Sequence, residues 1–264
     1  MKLGFIGTGN MASAIMGGVI EKGMVKPDEV IGSDLTKAGR ERVKEAFGIH
    51  VTADNKEVAK EAQVLILSVK PQFYEEVIKE IKDCITKDQI IITIAPGKTI
   101  AWLEKLFEKP VKILRTMPNT PAMVGEGMTS MTANIEMTAE DIAYVKSLLE
   151  SFGCVEEMPE RLMDAVVPLS GSSPAYVFMF IEAMADAAVI GGIPREKAYK
   201  MAAQSVLGSA KMVLETGRHP ADLKDMVCSP AGTTIAAVRV LEEKGFRSAV
   251  IEAMQECEKV SKSL

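Results

Sequence analysis

The stretch that most constrains this chain runs from residue 2 to residue 20. An apolar run, KLGFI, stops at GTGNMA, and apolar residues then recur at Met11, Ile15, Met16, Val19 and Ile20. Spacings of three and four belong to a helix, so the stretch reads as strand, tight glycine turn, helix. The same unit repeats. DEVIGSD supplies a second strand, followed by a polar helix from about Lys37 to Phe47. AQVLILSV at 62–69, QIIITIA at 89–95 and VKILRTM at 111–117 follow, with helical stretches between them. Strands apolar on both faces and separated by helices require a parallel sheet covered on both sides, a right-handed doubly wound α/β domain.

Gly7, Gly9 and Ala12 match the dinucleotide fingerprint G-x-G-x-x-A. In that pattern the first glycine permits the turn, the second lets backbone approach the pyrophosphate, and the small third residue lets helix pack on strand. Thr8, Asn10 and Met11 complete the turn. Asp34 closes the second strand, 22 residues beyond Ala12, where an acidic residue would accept hydrogen bonds from a ribose and favour NADH. Ser33, Thr36, Lys37 and Arg40 flank it and suit a phosphate, so the cofactor is written as NADPH or NADH.

Ligands of such sheets lie beyond the carboxyl ends of the strands. Those ends carry Ser68-Val69-Lys70-Pro71, Ala95-Pro96-Gly97 and Arg115-Thr116-Met117-Pro118-Asn119-Thr120-Pro121. Together they are expected to form the wall of a cofactor channel. Lys70 and Arg115 fit either solvated or structural charges.

From about residue 160 the strand pattern gives way to helical spacing, which divides the chain into a nucleotide-binding domain at 1–159 and a helical domain at 160–264. Helices at 174–190 and 195–215 are rich in Ala, Gly and Met and poor in charge. A helix apolar round most of its circumference must be buried, and so small a domain can scarcely bury two of them alone. A homodimer through these helices is expected. Near the end, SPAGTT at 229–234 precedes apolar Ile235, Val238 and Leu241. Ser229 suits an N-cap and Pro230 the first helical position. The N–H groups of Ala231, Gly232 and Thr233 would then form a cup for a carboxylate or phosphate, with hydroxyls at Thr233 and Thr234.

The net charge of −5, with no basic block, argues against nucleic acid or an anionic membrane as partner. Four cysteines at 84, 154, 228 and 257 lack metal-ligand spacing, and two histidines have no ligand partners nearby, so no metal is expected. Gly7, Gly9 and Asn10 break the N-terminal apolar run, and no apolar segment approaches the roughly 18 residues of a membrane span. A cytoplasmic protein is expected.

GTGNMA at 7–12, VKP at 69–71, RTMPNTP at 115–121 and SPAGTT with its apolar helix together resemble the pyrroline-5-carboxylate reductases, in order and over almost the whole chain. The resemblance implies a Rossmann domain followed by a helical dimerisation domain, with assembly beyond the dimer, up to a decamer, left open. It implies NAD(P)H-dependent reduction of 1-pyrroline-5-carboxylate to L-proline, the last step of proline synthesis. Carried over by residue, it puts the substrate carboxylate on the N–H groups around Ala231 to Thr233, with Ser229 as cap or contact, and gives Thr234 the ring nitrogen. Met117, Pro118 and Asn119 would line the nicotinamide side, Val69, Lys70 and Ala95 would lie near the cofactor, and Asn55 near the adenosine ribose. Two positions depart from the family pattern: Ser173 where G-S-G-P-A-Y has its second glycine, and Pro96 where A-A-G has its second alanine. A β-hydroxyacid dehydrogenase shares the two-domain plan, but residues 162–194 contain no lysine to act as its base. A non-catalytic dinucleotide sensor would have no use for a hydroxyl-lined helix start.

Overall fold

The computed structural model describes residues 2–263. Among them eight strands form one sheet: β1 (Leu3–Ile6), β2 (Val30–Ser33), β3 (His50–Thr52), β4 (Val64–Leu67), β5 (Ile90–Thr93), β6 (Lys112–Met117), β7 (Gly127–Ala133) and β8 (Gly153–Glu157). Their order is β3-β2-β1-β4-β5-β6-β7-β8. The first six are mutually parallel, β7 runs antiparallel to β6, and β8 runs parallel to β7. The six parallel strands have the order of the dinucleotide-binding fold. The strands read from the sequence are thus parallel as expected, and β3, β7 and β8 are additions to them, β7 making the sheet mixed. β3 has three residues, while β7 (GMTSMTA) and β8 (GCVEE) are short of the branched apolar residues that mark buried strands.

Six helices cover the sheet: α1 (Asn10–Glu21), α2 (Lys37–Phe47), α3 (Asn55–Glu61), α4 (Tyr74–Ile81), α5 (Ile100–Phe107) and α6 (Ala139–Leu149). β4 shows how a continuous apolar strand serves two faces. Val64 and Ile66 join the core under α1 and α6, with Ile15, Met16, Val19, Val145 and Leu148. Leu65 and Leu67 point the other way, to Val58, Ile78, Ile81, Leu103 and Phe107 of α3, α4 and α5. Each such side chain contributes about 1.5–3 kcal/mol on burial. Local chemistry sets the helix limits: Thr36 caps α2 by accepting from Gly39 N–H, and Gly48 ends it in the left-handed region at φ 70°.

The back half is helical: α7 (Met163–Val166), a π-helical turn over Val167–Gly171, α8 (Ser173–Ile190), α9 (Arg195–Thr216), α10 (Pro220–Val227), α11 (Thr233–Glu243) and α12 (Phe246–Ser261). Contacts divide the chain into two compact units, one reaching Ser172 and including the residues from Cys257 on, the other Ser173–Glu256. In the second unit the buried hydrophobic residues are only Ala185, Ala198, Ala202 and Leu223. Phe178, Met179, Met201, Leu207 and Leu214 stand exposed on α8 and α9. This unit has little core of its own.

One expectation about membrane-spanning length is overturned. Glu160–Ile190 is a helical run of 31 residues with a mean hydropathy of 1.4 in its most apolar window, long and apolar enough to cross a membrane by length and composition alone. Pro168 and Gly171 sit inside the π-helical turn, and Glu160, Arg161, Asp164, Glu182 and Asp186 are the only charges in the run.

Candidate active site

The glycine turn is tied down by two hydrogen bonds at Gly7. Gly7 N–H donates to the Ser33 carbonyl at 2.8 Å, and Ser68 Oγ donates to the Gly7 carbonyl at 2.6 Å. Gly7 has φ +93°, and a Cβ there would stand 2.8 Å from the Ser68 backbone with Val69 N just behind. Only glycine fits. Gly9 differs: it is the exposed N-cap of α1, and nothing lies within 4 Å of where its Cβ would be. The strand end thus leaves bare backbone beside the free N–H groups of α1, at Asn10 and Met11, a cradle of the kind a pyrophosphate requires. The residues present fit a dinucleotide.

Asp34 is not free at this edge. Its Oδ2 accepts from Thr8 N–H at 3.1 Å and Thr8 Oγ1 at 3.0 Å, and its Oδ1 from Thr36 N–H at 2.9 Å and Thr36 Oγ1 at 2.8 Å. Partial burial pushes its carboxyl upward, but the bonds from Thr36 and Thr8 outweigh it and hold the group below its ordinary value. A carboxylate has about four lone-pair sites, and all are taken. In this arrangement Asp34 clamps the glycine turn to the start of α2 with the acceptor atoms that were expected to meet a ribose. Asn55 accepts from Ser33 Oγ at 2.7 Å and donates to Glu80 at 2.8 Å, which sets it at the end of β2.

The other strand ends are stitched by Tyr74 and Thr93, which no motif marks, together with Thr116. The buried Tyr74 hydroxyl donates to the Leu67 carbonyl and accepts from Thr93 Oγ1 at 3.1 Å, while Thr116 Oγ1 donates to the Thr93 carbonyl at 2.9 Å. This chain crosses β4, β5 and β6. Burial pushes the Tyr74 phenol up to about 12. Ala95 and Pro118 are buried, Val69 and Met117 half-buried, and Lys70 exposed at the turn before Pro71. Met117 lies under the π-helical turn, where a Cβ on Gly171 would come within 2.4 Å of its Cε. Asn119 has both ends of its amide engaged: Nδ2 donates to the Ser170 carbonyl at 3.0 Å, and Oδ1 accepts from Met128 N–H at 2.8 Å. It holds the loop in shape. Arg115, buried, pairs with Glu160 at 3.2 Å and Asp164 at 3.4 Å, so it is a structural charge.

In the second unit the helix start lies three residues later than expected. Ser229 is not the N-cap of α11; Gly232 is, with φ −77° and ψ 169°. Residues 229–232 form a turn in which Gly232 N–H donates to the Ser229 carbonyl at 3.0 Å. Pro230 occupies its second position, and Ala231 its third at φ +56°. That third position demands positive φ, which glycine adopts freely and alanine at a cost of about 1–2 kcal/mol. A Cβ on Gly232 would meet Ser229 Oγ at 2.4 Å. The Gly232 N–H is spent inside the turn, so the helix presents instead the first-turn N–H groups of Thr233, Thr234 and Ile235. Ser229, Thr233 and Thr234 flank them with hydroxyls.

Residues 2–97 match the family described as NADP oxidoreductase, coenzyme F420-dependent, and residues 160–264 the family described as pyrroline-5-carboxylate reductase dimerisation. The fold, the glycine cradle and these matches define an NAD(P)-dependent oxidoreductase that carries an oligomerisation domain. A pyrroline-5-carboxylate reductase of Escherichia coli strain K12 is 53% identical, covering 99% of each chain, and one of Methanosarcina acetivorans is 43% identical, covering 100% of this chain and 97% of that one. The solved pyrroline-5-carboxylate reductase of Coxiella burnetii superposes with a TM-score of 0.90 at 35% identity, covering 99% of this chain and 97% of the other. The Plasmodium falciparum pyrroline carboxylate reductase, solved with NADP bound, superposes with a TM-score of 0.92 at 31% identity, covering 100% and 97%. The chain belongs to the pyrroline-5-carboxylate reductase family.

Proposed function

We propose that this chain reduces 1-pyrroline-5-carboxylate to L-proline, the last step of proline synthesis, with NADPH or NADH as reductant. The observation that carries this reading is the 229–235 segment, where a tight turn leads into the first-turn N–H groups of α11 and three hydroxyl residues lie in the same seven positions. The N–H groups of Thr233, Thr234 and Ile235 take the substrate carboxylate, Ser229 adds a hydroxyl contact, and the strained Ala231 and the side-chain-free Gly232 set the angle of entry. Thr234 Oγ1 hydrogen-bonds the ring nitrogen.

When bound, the dinucleotide supplies the hydride that converts the C=N carbon to CH; the ring nitrogen retains its proton. A protonated cyclic imine is already electrophilic, so the residues mainly align it and keep its nitrogen hydrogen-bonded. No histidine or carboxylate acid is required. Gly7, Thr8, Gly9, Asn10 and Met11 hold the pyrophosphate. Asn55 lies toward the adenosine ribose, and Ser68, Val69, Lys70 and Ala95 form the channel wall. Met117 and Pro118 face the nicotinamide, with Asn119 shaping their loop.

The exposed apolar faces of α8 and α9 form a homodimer interface, open to further assembly up to a decamer, and this accounts for the apolar Glu160–Ile190 run without a membrane. Four free, widely spaced cysteines suit the reducing cytoplasm. The test is oxidation of NADPH and NADH by purified protein with 1-pyrroline-5-carboxylate. Proline formation supports the assignment; dinucleotide binding without turnover sinks it.

A further inference from the structure

We infer that Asp34 positions the glycine turn rather than the ribose, and that the guanidinium groups of Arg40 and Arg42 make this chain select the 2′-phosphorylated dinucleotide. The inference rests on the dinucleotide reading above and adds a choice between its two forms. In this fold the adenosine ribose lies at the carboxyl end of β2, where an acidic side chain holds a free 2′-hydroxyl or an arginine accommodates a 2′-phosphate. Here the acid is fully used. Thr8 and Thr36 each give Asp34 an N–H and a hydroxyl, and a Cβ on Gly39 would stand only 2.8 Å from Oδ1. NADH therefore gains no hydrogen bond from this carboxylate.

The cations at the same edge are differently placed. Arg40 Nη1 donates to the Asp34 carbonyl at 2.5 Å and the Leu35 carbonyl at 3.3 Å, and Arg42 Nη2 donates to the Thr8 carbonyl. Backbone carbonyls carry no net charge, so both guanidinium charges stay uncompensated, and each retains further N–H donors. Neither forms an ion pair with a carboxylate among the described residues, whereas Lys37 is paired with Glu41 at 3.4 Å. Two anchored guanidinium groups beside one saturated carboxylate leave this edge net positive. A 2′-phosphate, doubly charged and rich in acceptors, fits it better than a hydroxyl does.

The test is direct titration of the purified chain with NADPH and with NADH, read by cofactor fluorescence or calorimetry without substrate. Native protein is expected to bind NADPH about tenfold more tightly or better, the effect of one charge-assisted contact. The double variant R40M/R42M should lose that margin through weaker NADPH binding, with the NADH Kd changed less than about twofold. A merely structural loss would weaken both forms alike, so the ratio is the readout. D34N should weaken both forms by a similar factor. Equal or tighter binding of NADH by native protein, an unchanged ratio in R40M/R42M, or a D34N effect confined to NADH would overturn the inference. Binding of neither dinucleotide would overturn the cofactor reading and this inference with it.

Discussion

Gly7 lies against the backbone of Ser68, so closely that a Cβ on Gly7 would stand 2.8 Å from the Ser68 carbonyl carbon and oxygen. Backbone cannot move aside as a flexible side chain can, and the turn's φ of +93° penalises any L-residue as well.

Gly7→Ala and Gly9→Ala should therefore separate folding from binding. Gly7→Ala is expected to cost about 1–3 kcal/mol and lower Tm by several degrees. Gly9→Ala meets open space at an ordinary φ and should leave Tm unchanged, while raising the dinucleotide Kd about tenfold or more by blocking close approach. Thermal melts and dinucleotide titration on both variants check this; native-like binding by Gly9→Ala would remove the pyrophosphate from that turn.

Arg115 is bonded to both Glu160 and Asp164. Arg115→Met should leave two partly buried carboxylates facing each other, costing about 2–4 kcal/mol. Because Glu160 also accepts from Ile100 N–H at 2.7 Å, the start of α5 should loosen with it. Denaturant unfolding measures the first effect and amide exchange at α5 the second. A variant as stable as native protein would contradict the structural role given to Arg115.

Tyr74 makes alkaline stability depend on one phenol. Its unfolded pKa is about 10, and in the folded chain it is raised to about 12. Above pH 10 the unfolded state ionises first, so the stabilisation present below that pH is lost as pH rises toward 12. The loss is about 2–3 kcal/mol at most. Tyr74→Phe should begin less stable at neutral pH, by about 1 kcal/mol for the lost hydrogen bonds, and then decline less steeply between pH 10 and 12. Parallel stability curves for the two proteins would refute this.

Thr234→Ala should lower turnover by roughly 100-fold or less, since the hydroxyl orients the protonated ring nitrogen through a hydrogen bond without performing the chemical step. Thr234→Ser keeps the hydroxyl and should retain most activity. Steady-state kinetics on both variants decides; unchanged kcat and KM in Thr234→Ala would take Thr234 out of the site.

Met179→Glu places a carboxylate on a face of α8 that is exposed in the single chain and apolar on either side. If that face is an oligomer interface, burying the charge is prohibitive and the variant should sediment as a smaller species. An unchanged sedimentation coefficient would move the interface elsewhere.

What could be read in the sequence is what local physics dictates. KLGFI before GTGNMA specifies strand, turn and helix because only glycine tolerates the turn and the period changes across it. AQVLILSV must be buried on both faces because its apolar residues do not alternate. The helical back half followed from spacing alone, and its need for a partner from the apolar circumference of its helices. Site membership was legible where a motif carries its own backbone geometry, as at Gly7 and Gly9, and the matching motifs led to the family.

Partnership was decided only in three dimensions. Asp34 offers the same acceptor atoms to a ribose or to Thr8 and Thr36, and nothing in its neighbours' identities says which donors arrive first. Tyr74, Thr93 and Thr116 are far apart in sequence and meet only because β4, β5 and β6 lie side by side. At the helix start, Ser229 and Gly232 compete as N-cap with similar local preference, and the turn closed by the Ser229 carbonyl settles it three residues downstream. Propensity and period act along the chain, whereas a hydrogen bond's partner is fixed by which elements the folded sheet brings within about 3 Å.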